Sequence, residues 1–413
     1  DDALRRLYVA CTRAQSQLTL WWANSKKNTA ASPLQRVLYS PRGQAPVVPA
    51  LAYPPPLPSP SELPWLAAGG IEVSVAAERQ ASAAASHRKP APLPAPPAFT
   101  REIDDWRRTS YSGITADAHD SPFLPDEPET PAPAQPDTPP DSDAPLSPLA
   151  GFPGGTAFGS LVHEIFEQLD WFAPAAAALP ALEARLLQSA ESALQRYPLP
   201  VAAPDLAAGL LPSLLTPLGG LTGGRPLAAI PTSERLAELD FEYPMPAQAS
   251  VRDIAALWRE TVPADDLLSG YAAALANPAL AGQRLFGALN GSIDVVLRVA
   301  GRYLVIDYKT NSLGPVAELR PQLYHPQAMA AEMISCHYPL QAALYCVALH
   351  RFLGRRLPDY RPEAHLGGVG YLFVRGMDGA DPTMAGGWPT GVFGWYPPTA
   401  LVLGLSELLG GGK

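Results

Sequence analysis

Apolar residues recur in two rhythms along this 413-residue chain. Phe158, Leu161, Val162, Ile165, Phe166 and Leu169 fall at i, i+3, i+4, i+7, i+8 and i+11, which predicts an amphipathic helix. Between 292 and 309 the period drops to two. Ser292 to Val299 and Tyr303 to Lys309 read as strands, with Ala300-Gly301 as the turn between them. Successive strand side chains point to opposite faces. Tyr303, Val305, Asp307 and Lys309 therefore share one face, and Leu304, Ile306 and Tyr308 the other. Glu238 to Tyr243 alternates as a strand, and Gly367 to Arg375 reads as a last core strand. Residues 175–230 suggest helices broken by Pro and Gly. Pro326 starts a helix that Pro339 interrupts or restarts, running to Leu353. Helix, three strands, helix, strand is an α/β order.

The N-terminal part is patterned differently. Residues 1–22 read as a helix followed by a short strand, Leu18 to Trp22. Residues 23–114 are a Pro/Ala-rich connecting region, with one short ordered patch at Trp106 to Ile114. Residues 115–150 hold ten prolines among many acids and no large apolar cluster. Such a composition cannot bury a core and predicts a disordered linker. The second domain is expected over 151–413.

The net charge of −9 would argue against a polyanionic partner if it were spread evenly. Eight acids and no Lys or Arg lie between 114 and 150, which leaves the remainder near −1. The acidity therefore says little about the ordered surface. Cys11, Cys336 and Cys346 are too few and too scattered for a disulfide framework or a four-cysteine metal site. A reduced cytoplasm is the compartment this predicts. No signal peptide is visible, and no apolar run of membrane-spanning length escapes Pro, Gly or charge.

Candidate chemistry centres on Asp307-Tyr308-Lys309. If the hairpin has a two-residue turn, Val299 faces Arg302, and counting back places Asp294 opposite Asp307. Facing Cβ atoms in an antiparallel pair lie roughly 4.5–5.5 Å apart. Two carboxylates that close repel unless a cation lies between them, and Mg²⁺ accepts carboxylate oxygens while keeping waters for chemistry. A one-residue slip would put the acids on opposite faces, and Ala is a poor residue for the positive φ of a primed turn. Lys309 is the only lysine between 90 and 412 in a chain with 25 arginines. A compact ammonium suits a water or an oxyanion better than a guanidinium fork does. The bland alternative is an edge strand ending in a solvated Asp/Lys pair.

Four blocks carry a family resemblance: Gly159-Ser-Leu-Val-His163-Glu-Ile-Phe-Glu167; Gly291-Ser-Ile-Asp294 with Ile306-Asp-Tyr-Lys309-Thr-Asn311; Tyr338-Pro-Leu-Gln341 through Tyr345; and Gly367 through Gly376. In this order they resemble the RecB-type nuclease domain of the PD-(D/E)xK superfamily. The resemblance implies a restriction-endonuclease-like core, a mixed central sheet flanked by helices. It implies that His163, Asp294, Asp307 and the backbone carbonyl of Tyr308 hold one or more Mg²⁺ ions. Lys309 would be catalytic together with Asp307 and Asp294, and Gln341 and Tyr345 would lie against the DNA. The implied activity is a Mg²⁺-dependent DNA exonuclease of a bacterial helicase–nuclease in double-strand-break repair and recombination. Its partners would be single-stranded DNA, duplex ends, and RecC-like and RecD-like subunits. The alternatives are an AddA-type subunit and a catalytically inactive nuclease fold that binds DNA or a partner.

Leu7-Tyr-Val-Ala-Cys-Thr-Arg13-Ala14 resembles motif VI of superfamily 1 helicases. By that resemblance residues 1–22 are a remnant of a RecA-like helicase domain, and Arg13 would reach ATP as an arginine finger does. The chain has no G-x-x-x-x-G-K-[ST] loop. ATP is thus expected only in a longer protein whose helicase body lies upstream.

Overall fold

The computed structural model describes residues 2–14, 16–22, 32–39, 66, 70–74, 107–115 and 144–410. The chain forms two compact units, Asp1–Thr100 and Arg101–Lys413. Most of the expected connecting region and linker, including 116–143, lies outside the described residues.

In the first unit, helix α1 covers Asp2–Thr12 and α2 covers Pro33–Tyr39. The Trp22 indole donates to Gln35 Oε1 at 2.7 Å. The strand expected at Leu18 to Trp22 is not formed. Leu18, Leu20 and Trp21 are exposed, and no strand among the described residues pairs with them. A strand without a neighbour leaves its backbone groups unpaired.

The second unit is built on a sheet whose strands are β1 (Arg107–Thr109), β2 (Arg235–Ser250), β3 (Arg284–Val299), β4 (Arg302–Lys309), β5 (Leu366–Phe373) and β6 (Val392–Trp395). The path is β1-β3-β4-β5-β6, with β2 on the other edge of β3. Ladders β3–β4, β2–β3 and β5–β6 are antiparallel, and β4–β5 and β1–β3 are parallel. The helices that frame the sheet and the site are α3 (Tyr111–Thr115), α4 (Thr156–Gln168), α5 (Leu179–Arg196), α6 (Ala203–Leu215), α7 (Val251–Thr261), α8 (Pro326–Ser335), α9 (Tyr338–Arg356) and α10 (Thr399–Leu408). Pro339 restarts a helix and does not kink one. It sits in the first turn of α9, where its missing N–H costs nothing.

Two cores lie on the two faces of the sheet, as the alternation along β4 requires. Val305 joins the core built with Trp258 of α7, Met333 of α8, Leu344 of α9 and Leu405 of α10. Leu304, Ile306 and Tyr308 join the core built with the α4 stripe, Leu186 of α5 and Leu210 of α6. The helical stripe read from the sequence is fully buried, from Phe158 to Leu169.

Two segments outside the expected 151–413 domain are part of this body. β1 and α3 pack on β3 from within the supposed connecting region. A Cβ at Gly287 would overlap the Arg107 carbonyl, and its φ of +116° favours glycine. Leu149, expected in the linker, is fully buried. The segment carrying it is stapled by Arg375, whose guanidinium donates to the carbonyls of Leu149 (3.2 Å), Phe152 (3.3 Å), Pro153 and Thr310 (2.7 Å). Arg375 is itself fully buried and lies against the Phe158 ring.

Candidate active site

The β3–β4 hairpin turns on Ala300 and Gly301, with φ of +49° and +79°. Both are positive, as a type I′ turn requires, so Ala300 accepts a conformation it disfavours. The register is the expected one, Val299↔Arg302, and it runs to Val295↔Ile306. The ladder ends there. Further back, the same edge of β3 pairs with β1 at Gly287 to Leu289. Asn290 to Asp294 thus lie in a gap between two partners on that edge. Asp294 and Asp307 would be the next pair, but the Asp294 carboxylate instead accepts the Tyr308 backbone N–H at 2.9 Å. On the opposite edge Glu238 breaks the β2 ladder between Ala237↔Val295 and Leu239↔Ile293, with φ of +48°.

His163 projects from the margin of the α4 stripe into this gap. Its Nε2 lies 3.0 Å from the Tyr308 carbonyl oxygen and its Nδ1 3.4 Å from Asp294 Oδ2. The Tyr308 ring packs edge-on against Phe166 at 4.9 Å, which fixes the carbonyl on β4. Burial alone would raise the Asp294 pKa. The His163 charge and hydrogen bond, Lys309 and the Tyr308 N–H outweigh it and hold the carboxyl below its ordinary range.

Asp307 and Lys309 sit on the other face, only 1% and 2% exposed. Lys309 Nζ lies 2.9 Å from Asp307 Oδ2. The two form a buried ion pair. Burial pushes the Asp307 pKa up to about 7. Lys309 pulls it down, and the Asp294 charge adds to the rise.

Gln341 and Tyr345, expected against DNA, are each only 8% exposed. Gln341 Nε2 donates to the Tyr345 hydroxyl at 3.1 Å, and Gln341 Oε1 accepts from the Tyr371 hydroxyl at 2.9 Å. Tyr371 is registered beside Asp307 in the β4–β5 ladder. The pair therefore sits behind the acid strand as part of a buried chain. Arg13 lies in the first unit, exposed beyond the end of α1, with its N–H on the Val9 carbonyl at 3.2 Å.

Sequence reading missed a second tier of acids. Glu167 follows His163 by one helical turn, which is a signal the spacing does carry. Burial and then Glu164 raise its pKa. The Glu238 pKa is raised by burial and then by Glu167 and Asp294.

Among the described residues no three His, Cys, Asp or Glu side chains converge closely enough in this conformation to hold an ion. The donors form two pairs instead, His163 with Asp294 and Asp307 with Lys309. Their chemistry nevertheless fits a hard divalent cation: one imidazole nitrogen, two carboxylates and one backbone carbonyl. Burial raises the Asp307 pKa, so a divalent cation beside it would favour its ionised form.

The model of the PD-(D/E)XK nuclease superfamily matches residues 150–384. The chain is 42% identical to the RecBCD enzyme subunit RecB of Mycolicibacterium smegmatis over 441 residues, covering 99% of this chain and 39% of that protein. It is 42% identical to the Mycobacterium tuberculosis H37Rv subunit of the same name, covering 100% of this chain and 39% of that one. The Escherichia coli K12 subunit is 32% identical over 319 residues, 75% of this chain and 23% of its own length. The chain thus spans about two fifths of the mycobacterial relatives it matches. The matched residues contain every element that carries the His163, Asp294, Asp307 and Lys309 geometry, and this chain belongs to the PD-(D/E)XK nuclease superfamily.

Proposed function

We propose that this chain hydrolyses DNA phosphodiester bonds with Mg²⁺, as the nuclease part of a RecB-type subunit in a helicase–nuclease that processes DNA ends. The observation that carries this reading is the gap in the β3 edge. Beside it the His163–Asp294 pair, tied to the backbone of Tyr308, and the Asp307–Lys309 pair lie close enough for their charges to act on one another. His163, Asp294, Asp307 and the Tyr308 carbonyl would hold Mg²⁺, which supplies a charge that polarises a phosphate oxygen and lowers the pKa of a bound water. Asp294 is the carboxylate kept ionised. Lys309 places a compact positive charge beside Asp307, suited to orienting the attacking water or balancing the charge of the pentavalent phosphate.

A catalytically inactive fold is disfavoured because all four of these side chains are present. The RecB relatives favour a RecB-type over an AddA-type assignment. By that likeness the working partners are RecC-like and RecD-like subunits in a bacterial cytoplasm. Among the described residues no helix is long and apolar enough to cross a membrane. All the proposed ligands lie between His163 and Lys309, so nothing in the cutting chemistry itself calls on ATP.

The test is degradation of linear single-stranded DNA by the whole chain, with Mg²⁺ against a chelator and wild type against Asp307→Ala. We expect the variant to lose activity on the order of a thousandfold, about 4 kcal/mol of barrier, with its circular dichroism unchanged. Metal-independent cutting, or a variant as fast as wild type at saturating Mg²⁺, would discard the site.

A further inference from the structure

The Lys309 ammonium is buried, and a lysine stem is flexible. Asp307 holds the ammonium on one side at 2.9 Å. Two aromatic faces lie beside it. Nζ is 4.2 Å from the centroid of the Tyr338 ring and 5.7 Å from that of Tyr371. The two rings are 5.8 Å apart and inclined by 20°.

Each ring is held at its hydroxyl. Tyr338 donates to Asn311 Oδ1 at 3.2 Å, and Asn311 Nδ2 donates to the buried Glu332 carboxylate at 2.8 Å. Tyr371 donates to Gln341 Oε1 at 2.9 Å and lies 3.2 Å from the Tyr338 carbonyl. Gln341 is in turn tied to Tyr345. A ring face attracts a cation through its quadrupole without accepting its proton. It can therefore hold the ammonium charged and still leave N–H groups for oxygen ligands.

We propose that Tyr338, with Tyr371 behind it, is a positioning residue that clamps the Lys309 ammonium by its ring face, and that Gln341 and Asn311 act by fixing these rings and not by touching DNA. The inference rests on the nuclease reading above. It assigns the buried Gln341–Tyr345 pair a role that its depth allows and a direct DNA contact does not.

The experiment replaces Tyr338 in the whole chain with phenylalanine and then with mono-, di- and trifluorophenylalanine. Single-stranded DNA cleavage is measured in Mg²⁺, with kcat and KM taken separately. Fluorination drains the ring quadrupole with little change in shape. The clamp requires kcat to fall stepwise, roughly tenfold or more across the series, with KM within twofold and Tm unchanged. Gln341→Met should lower kcat and leave the KM for DNA in place. A flat kcat series with active wild type removes the clamp alone, and a raised KM in Gln341→Met assigns that residue to DNA and overturns its role here. Wild type that never cleaves at any Mg²⁺ concentration removes the nuclease reading, and the clamp with it.

Discussion

The site divides into two halves with opposite physics. The His163–Asp294 half is partly open, with side chains 29% and 16% exposed, and its carboxylate is satisfied by an imidazole and a backbone N–H. The Asp307–Lys309 half is sealed, and its carboxyl is pushed up to about 7 by burial. One acid is held as a carboxylate, while the other is neutralised by a proton below about 7 and its ionised form is favoured by a nearby cation. The difference comes from backbone geometry. β3 leaves β4 one residue before the two acids would pair, so Asp294 swings to the Tyr308 N–H while Asp307 stays inside the sheet.

The comparison breaks first at the lysine. If the sealed half needs a compact charge, Lys309→Arg should lower kcat by about a hundredfold with DNA binding nearly normal by anisotropy. A near wild-type rate would mean that Lys309 only balances charge.

Next come the acids, measured without metal. Asp294 has its folded pKa below the unfolded one, so its contribution to stability is present above the ordinary carboxylate range and is lost as pH falls through the folded value. Asp294→Ala should cost about 1.5–3 kcal/mol at neutral pH, since it leaves a charged hydrogen bond unmade. Asp307 has the opposite sign. Its contribution is present below the ordinary carboxylate range and is lost as pH rises through about 7. Asp307→Asn should therefore be neutral at pH 5 and neutral or stabilising at pH 8. Parallel Tm–pH curves for the two variants would show that the halves are not distinct. The same proton predicts that cleavage at scarce Mg²⁺ climbs as pH passes through about 7, and that excess Mg²⁺ moves the climb lower.

The smallest effect sharpens the boundary between the halves. Tyr308 offers its carbonyl to His163, while its hydroxyl is buried with no hydrogen-bond partner among the described residues. Tyr308→Phe should change the rate less than about twofold and leave Tm level or slightly higher, because no hydrogen bond is lost. A large loss of rate would show that the hydroxyl matters.

What the sequence revealed and what it hid follow from range. The α4 stripe, the faces of β4 and the hairpin register are local patterns, and Phe158, Val305 and Arg302 stand where the periodicity puts them. β1 is three residues long, too short for any period, and owes its existence to Gly287 far along the chain. β6 was missed for the same reason. The burial of Gln341 and Tyr345 depends on Tyr371 in a later strand, which helix spacing alone cannot show. Glu238 gave no signal either. A glutamate at positive φ is set by the ladder around it and not by its own preference.

The Arg375 staple has a consequence for how this protein is made. Leu149 and Arg375 are 226 residues apart, and domains emerge from the ribosome at roughly 5–20 residues per second. The strap at Leu149 to Pro153, which leads into the His163 helix, must therefore wait on the order of 10–45 s for the guanidinium that locks it to Thr310, next to Lys309. A nascent chain short of that residue carries every proposed metal ligand and still lacks the staple. Locking of that strap thus follows the synthesis of β1 to β5 and precedes that of β6.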